Sequence, residues 1–281
     1  MSFNKCRKKY QDQSCAVPEL HGHVMAIDGL AIRIRTPRNT ETGNVMSYKN
    51  RKGFSSINIQ AGCDSLLKFR FVSIMTAGST HDNTAYLASG DSSLWENDTT
   101  VDRLGRPFWR SGDNAYSCTK NFINPWPGVN LINRFPFRDS FNYRLSGGYR
   151  NSIERAFGVL YARWGIFWRP LCFRLSKLPV IIFVICKLHN FCLDEKELEV
   201  QLGSGLGEIK LDENIRQDGH QNGYDDKFYV QDQCQTEKPY VKQHNVARFR
   251  DSKKCPLRTE MTDLLESHGS VRPSISTNIR T

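Results

Sequence analysis

Apolar and polar residues alternate in neighbouring stretches near the start of the chain. His23 to Ile27 is an apolar run ending at Asp28, and Ala31-Ile32-Arg33-Ile34-Arg35 alternates until Pro37 stops it. This predicts a strand pair or one long strand. Ile57, Ile59, Ala61 and Cys63 repeat the period of two, as do Leu67, Phe69 and Phe71, with only Asp64-Ser65-Leu66 between the two sets. Neighbouring alternating segments this close in sequence predict an antiparallel meander. Gly78-Ser79-Thr80-His81-Asp82 reads as a helix start, capped by Thr80 or Asp82, with a short helix to about Ser89. Trp109 to Gly112 then leads into Asp113 as a brief fourth strand, and a stretch rich in Asn, Pro and Gly runs as loop to about Asn142. Beyond Gly147-Gly148 the period changes. Ile153, Phe157, Leu160 and Trp164 recur at i, i+4, i+7 and i+11, the single apolar stripe of an amphipathic helix. Strands, helix, strand, helix: the pattern predicts a mixed α/β domain.

Composition adds where that domain ends. Among the 281 residues, 1–194 carry 26 basic and 14 acidic side chains, a net +12, whereas 195–281 carry 13 and 15, a net −2. All five tryptophans fall in the first part, while 203–281 is rich in Gln, Asp, Asn, Lys and Ser without a sustained apolar period. The sequence thus predicts a basic N-terminal extension at 1–21, a folded domain at 22–194 and a polar, disordered tail at 195–281. The stretch from Asp194 prolongs the preceding helix before order is lost. A positive domain of this size points to a polyanionic partner. Nine cysteines, scattered and without a C-x-x-C pair, fit a reducing compartment rather than zinc or redox chemistry. No apolar stretch follows Lys5, Arg7, Lys8 and Lys9, and the run Leu178 to Leu188 is shorter than the roughly 20 residues that span a bilayer. The expectation is a soluble intracellular protein with no membrane partner.

Three carboxylates stand where a charge is costly or can reach a strand end. Asp28 and Asp113 close apolar strands, and a carboxylate beside a core needs a cation or several donors. Glu154 follows the inward-facing Ile153, at the edge of the buried stripe. Two strand ends and a helix could bring all three onto a pair of divalent cations, the arrangement that phosphoryl transfer uses. Each also has a plainer reading. Asp28-Gly29 and Asp113-Asn114 are common turn dipeptides, Glu154 can pair with Arg150 across one helical turn, and Asp82 can cap its helix. His21-x-His23 has no third ligand nearby, and Cys186 to Cys192, with His189 between, reads as a helix packed into the core. Spacing by itself leaves the function open.

Read together, the motifs resemble the transposases of the PIF/Harbinger superfamily, DDE-type endonucleases with host-domesticated relatives. In order they are AIDG at 26–29 with the following IRI strand and Pro37, YKNRKGFSSINIQAGCD at 48–64, GSTHDN at 78–83 and GDNAY at 112–116. FNYRLS at 141–146, IERAFGVL at 153–160 and CKLHNFC at 186–192 complete the series. The resemblance implies an RNase H-like fold with a mixed central sheet flanked by helices. It also implies a catalytic triad of Asp28, Asp113 and Glu154, with Asp82 as a further metal ligand and Mg²⁺ or Mn²⁺ as the cofactor. By the same likeness the protein would cut and join DNA at transposon ends, in the nucleus, as an oligomer and with a Myb-like partner. The basic pair Arg51 and Lys52, between strands, would contact the DNA backbone. Two features depart from the pattern: 27 residues precede Asp28 where relatives carry a helix-turn-helix-type DNA-binding region, and Leu30-Ala31 stands where many have a polar pair. A non-catalytic, domesticated binding module is the alternative.

Overall fold

The computed structural model describes residues 20–101, 105–128, 131–201 and 255–272. The predicted N-terminal extension, except for its last two residues, and segments 202–254 and 273–281 of the predicted tail lie outside the described residues. In chain order the elements are β1 (His23–Arg33), β2 (Ser56–Cys63), β3 (Phe69–Ala77), α1 (Asp82–Ala88), α2 (Asp91–Glu96), β4 (Trp109–Ser111) and β5 (Phe122–Ile123). The helices α3 (Leu131–Arg134), α4 (Pro136–Arg144), α5 (Asn151–Arg163), α6 (Leu178–Gln201) and α7 (Pro256–Ser267) follow.

The five strands form one mixed sheet in the order β3-β2-β1-β4-β5. The predicted meander is β1, β2 and β3, antiparallel throughout, and β1 is one long strand rather than a pair. β4 joins the free side of β1 in parallel, and β5 extends the sheet in parallel again. This is the RNase H-like arrangement that the resemblance implies, a mixed sheet with helices on both faces. β5, α3 and α4 all occupy the stretch read as loop from the sequence. They are short, and β5 has only two residues in its ladder, too few to show a period.

Three clusters of buried side chains fill the fold. Ile153, Ala156, Phe157 and Leu160 of α5 and Leu178, Ile182, Ile185 and Cys186 of α6 cover one face of β1–β3. The opposite face packs Met25 and Ile27 against Tyr86, Trp95, Tyr116 and Phe122. There Arg110 of β4 is buried, its Nη1 bonded to Tyr86 and 2.5 Å from Asp91 Oδ2, with the guanidinium 4.5 Å above the Trp95 ring. That buried pair ties α1 and α2 to the strand that leads into Asp113.

The third cluster departs from the sequence reading. Within the predicted disordered tail, Leu257, Met261 and Leu265 of α7 are buried against Leu20, Trp109, Ile123, Trp126, Phe141 and Leu145. Their spacing of four places all three on one helical face. Arg258, also buried, donates to the Asn124 and Pro125 carbonyls and stacks 4.0 Å over Trp126. Residues 255–272 are thus part of the folded body, and Leu20 shows that the extension's last residues are too.

A long helix packs on the sheet. Leu145–Arg150 is a π-helical turn joining α4 to α5, so 136–163 is continuous and the Gly147-Gly148 pair lies inside it rather than before it. As predicted, α6 extends past Asp194, to Gln201. Leu175–Glu195 is long and apolar enough, by composition, to cross a membrane. One side of it is core, however, and its polar residues bind the β2–β3 connection and β3: His189 Nε2 meets Leu67 O at 3.0 Å, and Asn190 exchanges two 2.7 Å bonds with the Phe69 backbone.

Candidate active site

Strand register brings the first two carboxylates together. β4 pairs with β1 in parallel as far as Ser111 opposite Ala26. Two further residues along each chain lead to Asp113 and Asp28, at the point where β1 loses its β4 neighbour. Asp28 does not close its strand: it lies mid-strand, paired with Ala61, so the Asp28-Gly29 turn reading is excluded. The position is special because the sheet opens there. By alternation Asp28 shares a face with Ala26 and Ile32, which pack under α5. Asp113 occupies the turn after β4, where its Oδ1 accepts from the Ala115 amide at 2.8 Å.

Asp82 reaches this place from the other face. It is the first residue of α1, and the cap is His81, whose Nδ1 accepts from the Asn83 amide at 3.3 Å. The cap predicted at Thr80 or Asp82 is thereby corrected. The Asp82 carboxylate is instead held by two β2 side chains, Asn58 Nδ2 at 2.9 Å and Gln60 Nε2 at 3.2 Å. Gln60 Oε1 in turn accepts from the Tyr116 hydroxyl at 2.8 Å. Gly29 allows the approach, because a Cβ there would fall on Asp82 Oδ1 and lie 2.9 Å from Gln60 Nε2. Asn58, Gln60 and Tyr116 went unnoticed as site residues. In the sequence the two amides alternate with Ile57, Ile59 and Ala61 as a solvent face would, whereas all eight positions of β2 are buried and a buried amide needs a partner.

The electrostatics follow from this crowding. Burial first, and the charges of Asp113 and Asp82 after it, raise the Asp28 carboxyl to about 6 against the Gly29 amide and the Arg150 charge, which act the other way. Tyr116, buried among the same three acids, is held far above its ordinary value. Nearby, burial pushes His23 down to about 3, a neutral ring between Trp109 and Tyr149 with Nε2 2.9 Å from Ser111 Oγ. It is a packed residue.

Glu154 stands apart from these three. It lies in the first turn of α5 with its side chain 49% exposed, 2.9 Å from Arg150 one helical turn earlier. Arg51 and Lys52 are exposed in a tight turn closed by Asn50 N to Phe54 O, with Gly53 at φ +83°. This turn lies beyond the Arg33 end of β1, roughly 17 Å along the strand from Asp28 at about 3.3 Å per residue.

Among the described residues, no three His, Cys, Asp or Glu side chains are close enough together to hold an ion as a group. The donor chemistry nevertheless fits a divalent cation. Two carboxylates oppose the charge of a third that burial already disfavours, and hard oxygen donors are what Mg²⁺ and Mn²⁺ take.

The RNase H-like sheet, with acids on β1 and after β4, is the arrangement of a nuclease-type domain of the DDE class. The chain belongs to the DDE superfamily endonuclease family, which matches residues 27–190. It is also similar to the rat (Rattus norvegicus) protein named "Putative nuclease HARBI1", at 27% identity over 188 residues, 66% of this chain and 50% of that one. The domain is therefore Harbinger-type, and the chain spans about half the length of this curated relative. No solved structure matches it significantly.

Proposed function

We propose that the chain is a divalent-metal-dependent DNA endonuclease of transposase type, with Asp28, Asp113 and Glu154 as its catalytic triad. The observation that carries this reading is the meeting of Asp28 and Asp113 where β1 and β4 part, with Asp82 against Gly29. Mg²⁺ or Mn²⁺ held there would supply charge stabilisation for phosphodiester cleavage and strand transfer. Asp28 and Asp113 would hold the ion from the sheet, and Asp82, fixed by Asn58 and Gln60, would add a further carboxylate. Glu154 joins by leaving Arg150, whose guanidinium is then available to a phosphate oxygen. Arg51 and Lys52 hold the DNA backbone farther along the surface, and the net positive charge of 1–194 draws the polyanion in. The family resemblance supports a nuclear location, a Myb-like DNA-binding partner and an oligomer on DNA.

A second reading, a non-catalytic DNA- or protein-binding module, is favoured by the Arg150–Glu154 pair, which occupies the third carboxylate. One experiment separates the two: nicking of supercoiled DNA by the full chain in Mg²⁺ or Mn²⁺, wild type beside Asp28→Asn and Asp113→Asn, with calorimetric metal titration of each. Nicking that needs metal and disappears in both variants is the expected result. Metal binding without nicking favours the module, and no metal binding overturns the site.

A further inference from the structure

α6 has two apolar sides, and the described residues cover only one. Leu178, Ile182, Ile185 and Cys186 face the core, whereas Val180 (62%), Phe183 (46%), Val184 (47%), Leu188 (42%) and Phe191 (59%) are exposed. The exposed residues are ordered. Val180, Val184, Lys187, Phe191 and Asp194 are spaced 4, 3, 4 and 3, the seam of a two-helix coiled coil, with Phe183 and Leu188 flanking it. Lys187 interrupts the seam only in its head group, since its ammonium lies 5.2 Å from the Phe183 ring centroid and its stem can cover apolar surface.

We propose that this face binds a second copy of the chain, the two α6 helices packing antiparallel about a two-fold axis between Ile185 and Cys186. That axis sets Val180 against Phe191 of the other copy, Phe183 against Leu188 and Val184 against Lys187, so each exposed apolar residue meets an apolar side chain or the lysine stem of the other copy. The same axis sets Lys177, exposed where the helix begins, against Asp194, whose side chain is 56% exposed beyond its bond to Lys68. One register thus satisfies both the apolar pattern and the charges. A parallel pairing would put Lys177 beside Lys177 and Asp194 beside Asp194, which like-charge repulsion disfavours. The self-complementary pattern is what a two-fold interface requires. The pairing lies outside the acid cluster and holds whether or not the chain cuts DNA.

The test is sedimentation velocity of the full chain over a concentration series without DNA, for wild type, Val180→Glu, Phe191→Glu and Lys177→Glu, with circular dichroism of each and dye binding to exposed apolar surface. The expected result is a wild-type dimer. Each seam glutamate should weaken it by about 100-fold or more, because a charge is buried without a partner, and Lys177→Glu should weaken it about tenfold, with unchanged dichroism throughout. A wild-type monomer overturns the proposal. If it also fails to bind dye, another segment of the same chain covers α6; if it binds dye, the face serves a different partner. A dimer indifferent to all three substitutions overturns it too, since the contact then lies elsewhere.

Discussion

A carboxylate set mid-strand between two further acids carries its charge at a cost. Asp28 titrates near 6 in the fold, against an ordinary value of 3.8, so the folded protein holds that proton more tightly than the unfolded chain does. Stability from this group is present at low pH and is lost as the pH rises through about 4 to 6. Two pH units correspond to about 3 kcal/mol. In a chelating buffer, Asp28→Asn should therefore melt above wild type at pH 8, with the difference shrinking as pH falls through 6 and gone near 4. Thermal unfolding followed across that range measures it, and Mg²⁺ or Mn²⁺ at pH 8 should reverse the order by stabilising only the wild type. A difference that does not change with pH would contradict burial and acid crowding as the origin of the shift. Asp28 and Asp113 were legible as costly charges beside apolar strands. Asn58, Gln60 and Tyr116 were not, because nothing local in a strand reveals that its second face is also covered.

Single elements depend on buried pairs in the same way. Arg110 fixes β4 to α1 and α2 through Tyr86 and Asp91, and burial already pushes its guanidinium toward a lower pKa. Asp91→Ala removes the counter-charge and leaves Arg110 buried and uncompensated, a loss of about 3–5 kcal/mol. Urea unfolding should show that loss. Arg110→Met combined with Asp91→Leu should recover most of it, since a well-packed apolar pair replaces a buried ionic one at little cost. The longer elements were visible in the sequence for a physical reason: the β1–β3 meander and α5 each bury one repeating side against the same core. β5, α3 and α4 escaped because two to nine residues among Pro and Asn present no repeat, and their conformation is set by what they pack on. The π-helical turn at Leu145–Arg150 was hidden for the opposite reason, since the Gly147-Gly148 pair looks like a break yet the helix runs through it.

At the scale of the molecule, α7 changes the outline of the domain. Over 203–281 the polar residues outweigh a short stripe, and Leu257, Met261 and Leu265 disappear into the average although their spacing of four is plain within twelve residues. What they cover cannot be read locally either: the Trp126 indole donates to Thr262 Oγ1 at 3.0 Å, 136 residues away. Met261 is wholly buried in that cluster, so Met261→Ala should cost about 2–5 kcal/mol. Urea unfolding checks this, with Trp126 fluorescence expected to shift to the red as water reaches the ring. The distance between these partners also imposes a timetable. A ribosome makes β4, β5 and α4 long before it makes Pro256–Ser267, and the apolar ground around Trp109, Ile123 and Phe141 stays bare until that helix arrives. The strand that sets Asp113 beside Asp28 is therefore the last part of the sheet to gain its full backing, so a newly made chain assembles its acidic site late.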